Sequence, residues 1–303
     1  MLKTLNRLKK ENKIHPPEWL IKNTVYLCEM GSVAYGTAND SSDVDVYGFA
    51  IPLKELVFPH AFGYIYGFDK PNEFEQWQQH HVKDNTKEYD FSVYGMMKFF
   101  RLVTDNNPNM IDALFVPRRC ILHTTQISEL IRENRNLFLH KGSWHKFKGY
   151  SFNQISKMKN KIPEPGSKRD LLVEKCGFDT KFGAHAVRLL SEIEQIMTEH
   201  TLVLDQDRRR QQLKAIRNGE WTYNEVIKYV SDKEKQLEEV YLKCDLPYSP
   251  ADNLPQIKKL LMTCLEMWYE DTSNLITDES KSEAEKKLQA IKDIVNTYAS
   301  KLH

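Results

Sequence analysis

The sequence predicts an α+β protein: a mixed sheet with flanking helices at the N-terminal end, followed by a helical C-terminal region. Three observations predict it. Apolar residues alternating with period two occur only ahead of Pro117. From Val93 onward, apolar residues recur mainly at helical spacing. The chain has 303 residues, 41% hydrophobic and 28% charged, which is a globular composition and enough length for two domains. A chain of this size can bury a core without disulfide or metal staples, so wholesale disorder is excluded.

Residues 23–30 (NTVYLCEM) form an apolar, β-leaning run stopped by Gly31. Residues 43–51 (DVDVYGFAI) alternate and read as a strand, as do residues 87–94 (KEYDFSVY), where Glu88, Asp90 and Ser92 share one face. Between them, residues 52–86 carry Pro52, Pro59, Gly63, Gly67 and Pro71 and read as a hairpin-like excursion and loop. Met97, Phe100, Leu102 and Val103 give a helical stripe ended by Asn106-Asn107-Pro108, and a helix over 109–115 follows. Past Pro117 the expectation is almost entirely helical, with helices over 125–135, 144–161, 180–199, 208–217, 222–243, 254–270 and 280–300. The chain is thus divided at 1–117 and 118–303. No repeat and no low-complexity segment is present.

No uncharged apolar run approaches the ~18–20 residues that span a bilayer, so no membrane partner is expected. The first 13 residues are polar and basic with no apolar run after them, so no secretory signal is expected. The five cysteines are scattered without C-x-x-C spacing, which argues against a disulfide framework or a zinc site. Reduced thiols, mostly in the core, and a cytoplasmic location are expected. Residues 1–117 hold 12 basic and 15 acidic side chains, whereas 118–181 hold 14 basic and 6 acidic. That excess is either a solvated face or a polyanion-facing surface.

Chemistry concentrates in residues 31–45 (GSVAYGTANDSSDVD), read as G-S-x3-G-x5-S-D-x-D on Gly31, Ser32, Gly36, Ser42, Asp43 and Asp45. Gly31 ends a strand and permits a close backbone turn past a ligand. Ser32 and its neighbours are expected to open a short helix whose free N–H groups hold phosphate oxygens. Asp43 and Asp45, at i and i+2 on a strand, point to the same side. Two such carboxylates repel unless a cation lies between them, and hard oxygen donors suit Mg²⁺. A third carboxylate from another strand would complete a two-metal site for in-line phosphoryl chemistry. Asp90 is the candidate; Glu88 is the alternative, because a two-residue register error swaps them. An Asp-x-Asp alone is an ordinary strand end or Asx-turn; the joint pattern at fixed spacing points to chemistry.

Lys181, His185 and Arg188 fall at i, i+4 and i+7 on one helix face and could meet a triphosphate or an acceptor phosphate; coupled to the 31–45 motif they are candidates for nucleotide binding. The alternative is an ordinary surface stripe with His185 packed inside. Gln154 and Lys157 read as part of an amphipathic helix rather than as cleft residues, and Arg208–Arg210 with Lys214 and Arg217, beside Asp205 and Asp207, as a solvated basic face rather than an RNA contact. His80-His81 reads as loop without a well-placed partner. Trp144, Trp221 and Trp268 read as core.

Residues 31–45 resemble the signature of the nucleotidyltransferase superfamily related to DNA polymerase beta. More closely, the chain resembles the predicted nucleotidyltransferases of the RNA repair pathway DNA polymerase beta family. The strand carrying Asp90, Asn107-Pro108-Asn109 ahead of Asp112, and residues 176–188 (CGFDTKFGAHAVR) carry this narrower likeness, which covers most of residues 25–260. Asn106-Asn107 departs from a more usual Gly-Asn, and the helix expected over 280–300 lies outside the likeness.

The resemblance implies a polymerase-beta-like catalytic domain over 1–117 and a helical domain over 118–303 that closes the cleft and contacts nucleotide or acceptor. It implies transfer of a nucleoside monophosphate from a triphosphate such as ATP to an acceptor hydroxyl, with pyrophosphate released. Asp43 and Asp45 would bind both of two Mg²⁺ ions, for which Mn²⁺ could substitute. Asp90 would bind the ion serving the acceptor, and Gly31 and Ser32 would hold the β- and γ-phosphates. RNA, in repair or 3′-end processing, is the implied acceptor. The alternatives are adenylylation of a partner protein and a non-catalytic nucleotide- or RNA-binding module.

Overall fold

Val25, Tyr26, Leu27 and Cys28 are wholly buried, which places β1 (Thr24–Glu29) inside a sheet rather than at its edge. The computed structural model describes residues 1–38, 43–63, 73–85 and 87–269. Before β1, α1 (Leu2–Lys10) buries Leu5 and Leu8. After it come β2 (Val44–Ala50), the short α2 (Lys54–Val57), β3 (Gln76–Asp84) and β4 (Lys87–Gly95). Then follow α3 (Met96–Thr104), α4 (Pro108–Phe115), β5 (Ile121–Thr124) and α5 (Gln126–Glu133). The chain continues through α6 (Ser143–Asn160), α7 (Lys168–Cys176), α8 (Thr180–Glu199), α9 (Asp207–Arg217), α10 (Tyr223–Lys243) and α11 (Leu254–Tyr269).

The sheet order is β3-β4-β2-β1-β5. β2 and β4 run parallel and the other neighbours antiparallel, so the sheet is mixed and the α+β expectation holds. Phe49 of β2 stacks on Phe99 of α3 at 4.3 Å between ring centroids, seating that helix on the sheet. Thr125 and Thr222 open α5 and α10 through capping boxes.

Three expectations are corrected. The stretch 52–86 is not all loop, because Gln76–Asp84 is the edge strand β3. An extra residue between Gln79 and Val82 bulges this strand, which destroys the alternation that would reveal it. Past Pro117 the described chain is helical as expected save for one strand not foreseen: Ile121–Thr124 adds β5 beside β1, and four residues are too few for a period to register. Helix α7 was not expected. Asn106, standing where a glycine is more usual, adopts φ +50°, a conformation that asparagine tolerates. The helix expected over 280–300 lies outside the described residues, as does Ser42.

Residues Met1–Ile51 and Glu75–Cys264 form one compact unit, which contains every candidate site residue. In a second unit, described at 52–63, 73–74 and 265–269, the Tyr269 hydroxyl donates to the Pro52 carbonyl at 2.6 Å. All five cysteines are free, and four are buried. Among the described residues, no helix is long and apolar enough to cross a membrane.

Candidate active site

The chain leaves β1 through Met30, whose N–H donates to the Asp45 carbonyl at 2.8 Å. It then turns at Gly31, with φ +65°. A Cβ at this position would meet Asp45 Oδ2, so only glycine lets the turn lie against that carboxylate. The expected short helix is a single turn. Thr37 N–H donates to Ser32 C=O at 2.8 Å and Gly36 N–H to Val33 C=O at 3.1 Å. This bond pair, with Gly36 at φ +67°, is a Schellman ending that stops the helix after one turn.

Asp45 of β2 lies directly opposite Asp90 of β4 in the parallel register. Neighbouring strands are about 4.8 Å apart, so the two carboxylates are close neighbours. Asp43, exposed at the entrance to β2, shares the Asp45 face at i, i+2. Burial raises the Asp45 pKa above its ordinary value; Asp90, Asp43 and Glu29 raise it further, and Lys181 opposes them.

Asp90 is held from the β3 side. Its Oδ1 accepts the His81 N–H at 2.7 Å and lies 3.6 Å from His80 Nδ1. His81 takes φ +56° in the bulge, which aims that N–H across the strand gap. His80-His81 is therefore strand beside a site residue, not partnerless loop. Glu88 is engaged elsewhere, 2.6 Å from His81 Nδ1.

The cationic side comes from α7, α8 and α9. Asp179 caps α8 by accepting the Lys181 N–H at 2.9 Å and also pairs with Arg169 at 2.8 Å. Lys181 is exposed in the fold, yet its pKa is lowered, first by partial desolvation and then by Arg169 and Arg217; Asp45 and Asp43 pull the other way. His185, one turn along, is held well below its usual pKa by burial and by Arg188, Lys181, Arg217 and Arg169, so it is neutral. Arg217 reaches Thr37 Oγ1 at 3.3 Å, at the end of the Ser32 turn.

Arg188 is placed differently from Lys181. Its buried guanidinium pairs with Asp112 Oδ2 and, at 3.1 Å, with Glu192, and lies 4.1 Å from the Tyr35 ring centroid. The Tyr35 hydroxyl donates to the same Asp112 oxygen at 2.7 Å. Arg188 thus ties α8 and α4 to the residue at the base of the Gly31–Ser32 turn. The 208–217 cluster is solvated only in part: Arg208 and Lys214 are exposed, whereas Arg209 is buried on Val203, Ser191 and Gln195, and Arg210 packs under Gly36.

The model of the RNA repair pathway DNA polymerase beta family matches residues 1–244. The chain belongs to that family. An uncharacterized 38.9 kDa protein in the nrdC-mobD intergenic region of Enterobacteria phage T4 is 27% identical over 151 residues, which are 49% of this chain and 43% of that protein. The match thus spans under half of the relative's length. A nucleotidyltransferase-like protein from Exiguobacterium sibiricum aligns over 89% of this chain and 91% of its own, at 10% identity and a TM-score of 0.29, too distant to carry an argument. Membership places the chain in a polymerase-beta-like family.

Two carboxylates on adjacent strands and a third at the entrance to β2, with the Asp45 pKa raised by burial and then by neighbouring acids, fit a hard divalent cation. Sequence reasoning missed Glu29 and Arg169, and it undervalued Arg217, His80 and His81. Glu29 was visible as the residue two before Gly31; the others reach the site only through tertiary packing.

Proposed function

We propose that this chain is a divalent-metal-dependent nucleotidyltransferase that joins a nucleoside monophosphate from a triphosphate to a hydroxyl of RNA. The supporting observation is the register pairing of Asp45 with Asp90 beside the Gly31 turn. Asp43, Asp45 and Asp90 would hold two Mg²⁺ ions, or Mn²⁺ in their place, and when bound these would supply charge neutralisation for in-line phosphoryl transfer.

The remaining roles belong to the chain. The Gly31–Ser32 turn offers backbone N–H groups and the Ser32 hydroxyl to the β- and γ-phosphates. Lys181 supplies positive charge opposite the carboxylates, where the leaving pyrophosphate gathers negative charge. His185, being neutral, donates to or accepts from the sugar or base without adding charge. Arg188 acts through Tyr35 by fixing the turn. Helices α7, α8 and α9, through Arg169, Lys181 and Arg217, would form the cationic wall of the cleft. In the reaction the acceptor oxygen bonds to the α-phosphorus, the bond from that phosphorus to the pyrophosphate oxygen breaks, and the hydroxyl proton leaves toward the carboxylate cluster. RNA is favoured as acceptor by the family's description and by the basic excess over 118–181.

The test is incubation with each of four labelled triphosphates, Mg²⁺ or Mn²⁺, and total RNA or lysate protein. Label in RNA that is lost in Asp43→Asn is the expected result. Label in protein alone would replace the RNA acceptor by a protein hydroxyl, and label in neither would overturn the reading.

A further inference from the structure

A cavity of about 370 Å³ lies between the end of α4, the α5 region and the loop joining α8 to α9. Phe115 and Leu202 give it apolar wall; Arg118, Arg132, Arg135 and Asp205 give it charge. The acid does not balance the bases. Asp205 pairs with Arg119 at 2.9 Å, and Arg118 pairs with Glu129 at 2.6 Å. Among the described residues, no carboxylate pairs with Arg132 or Arg135.

Arg132 is 5% exposed, and its head group is fixed by the Tyr26 hydroxyl and the Leu114 and Val116 carbonyls at 2.9–3.0 Å. It therefore puts an immobile positive charge under the cavity. Arg135 donates to the Arg132 carbonyl at 2.8 Å and rests on the Phe115 ring at 5.0 Å. The Nε atoms of both arginines are buried and have no hydrogen-bond partner among the described residues. Arg135 has its pKa lowered by burial and then by Arg132 and Arg118, as expected of like charges crowded together without an anion.

We infer that this cavity binds a phosphate monoester, with Arg135 as the main ligand, Arg132 as the fixed charge beneath and Arg118 at the mouth. A phosphate monoester carries about −1.5 to −2 charges at neutral pH and matches the guanidinium fork, so it offsets more than one cation at once. The cavity falls in the range of roughly 300–1,000 Å³ that holds small organic ligands, leaving space beyond one phosphate for a nucleoside against Phe115 and Leu202. Ile121, the first residue of β5, pairs with Cys28, so the chain carrying Arg118 leads into β5 beside the end of β1 that precedes the Gly31 turn. The site is nonetheless separate in its residues from the Asp43–Asp45–Asp90 cluster and does not depend on the reaction proposed there. A phosphorylated nucleic-acid end, a mononucleotide and free phosphate share this chemistry.

The full chain, in metal-free buffer, is titrated calorimetrically with inorganic phosphate, a nucleoside 5′-monophosphate, and one short oligoribonucleotide with either a 5′-phosphate or a 5′-hydroxyl. Melting temperature is followed with and without each probe. At least one phosphorylated probe should bind and raise the Tm of the wild type, with affinity reduced about tenfold or more in Arg135→Gln and several-fold in Arg118→Gln. Tighter binding of the 5′-phosphate oligonucleotide than of its 5′-hydroxyl twin assigns a nucleic-acid end. Binding of the monophosphate or of phosphate alone assigns a free ligand. Should Arg135→Gln melt early without ligand, the exposed Arg118→Gln carries the comparison. Equal affinities for every phosphorylated probe across wild type and both variants, or no binding at all, overturns the inference.

Discussion

A Cβ placed on residue 31 would come within 2.1 Å of Asp45 Oδ2. The backbone there also sits at φ +65°, where an L-side chain is disfavoured by about 1–2 kcal/mol. The contact is with the terminal oxygen of a side chain, so in Gly31→Ala the carboxylate moves aside and the protein still folds. Displacing a reacting group's partner by about 1 Å can cost about 100-fold in rate. Gly31→Ala should therefore lose activity by at least that factor with a modest drop in Tm. Turnover near that of the wild type would mean that Asp45 need not occupy the position seen here.

The Asp45–Asp90 pairing makes an unequal prediction for the two acids of β4. Asp90→Asn should lower turnover by several orders of magnitude, as should Asp43→Asn and Asp45→Asn, with folding intact. Glu88→Ala should retain most activity, since Glu88 is engaged with His81. Rates are compared with labelled triphosphate and RNA. A dead Glu88 variant beside an active Asp90 variant would exchange their roles.

These assignments show how much was legible beforehand. The alternation in 43–51 and 87–94 placed Asp43, Asp45 and Asp90 on strand faces, because period two is local. That Asp45 meets Asp90 and not Glu88 is a property of parallel register, which no local pattern encodes. The helix bearing Lys181, His185 and Arg188 was legible over its full 180–199 length. Its spacing set three basic groups on one stripe, but it could not say that Asp112 and Tyr35, remote in sequence, engage Arg188. The β3 edge strand stayed hidden because its bulge breaks alternation and its residues are largely polar. That same bulge supplies the His81 N–H to Asp90.

Asp45 predicts a coupling of stability to pH and metal. Its folded-state pKa is raised above the ordinary value of 3.8 by burial and neighbouring carboxylates. The folded protein thus holds this proton more tightly than the unfolded chain. The resulting stabilisation is present below the ordinary value and is lost as pH rises through the raised folded value. In metal-free buffer Asp45→Asn should remove this contribution and match or exceed the wild-type Tm near pH 7. Mg²⁺ should raise the wild-type Tm and leave that of Asp45→Asn nearly unchanged. A wild-type Tm insensitive to Mg²⁺ would leave the carboxylates without the proposed ion.

The Arg188 cluster predicts opposite effects for its members. One guanidinium faces two buried carboxylates, Asp112 and Glu192. Arg188→Met leaves Asp112 and Glu192 without their paired cation, with only Arg209 still acting on Glu192, and should cost about 3–5 kcal/mol, or the loss of folding. Burial raises the Glu192 pKa, with Arg188 opposing and Asp112 adding to the rise. Its ionisation therefore weakens the fold as pH increases, and Glu192→Gln should flatten the pH dependence of stability without a comparable loss. Denaturant unfolding over a pH series measures both; a Glu192→Gln variant as damaged as Arg188→Met would contradict the charge imbalance.

Lys181 and Arg188 share a stripe but should separate under mutation. Lys181 is exposed, and its backbone N–H, not its ammonium, makes the Asp179 cap. Lys181→Ala should accordingly leave Tm almost unchanged. The ammonium interacts electrostatically with Asp45 and Asp43, where a triphosphate would be received. Losing one charge-assisted contact to phosphate should cost about 1.5–3 kcal/mol in triphosphate binding or transition-state stabilisation. Because desolvation, Arg169 and Arg217 lower the Lys181 pKa, its contribution should fade as pH rises through that lowered value, and sooner than for an ordinary lysine. Arg188→Ala should lose stability first and activity as a consequence, because it touches Asp112, Glu192 and Tyr35. The measurement is triphosphate affinity by calorimetry against pH, with thermal melting as control. Lys181→Ala with wild-type affinity and wild-type turnover at every pH would return Lys181 to an ordinary solvated position.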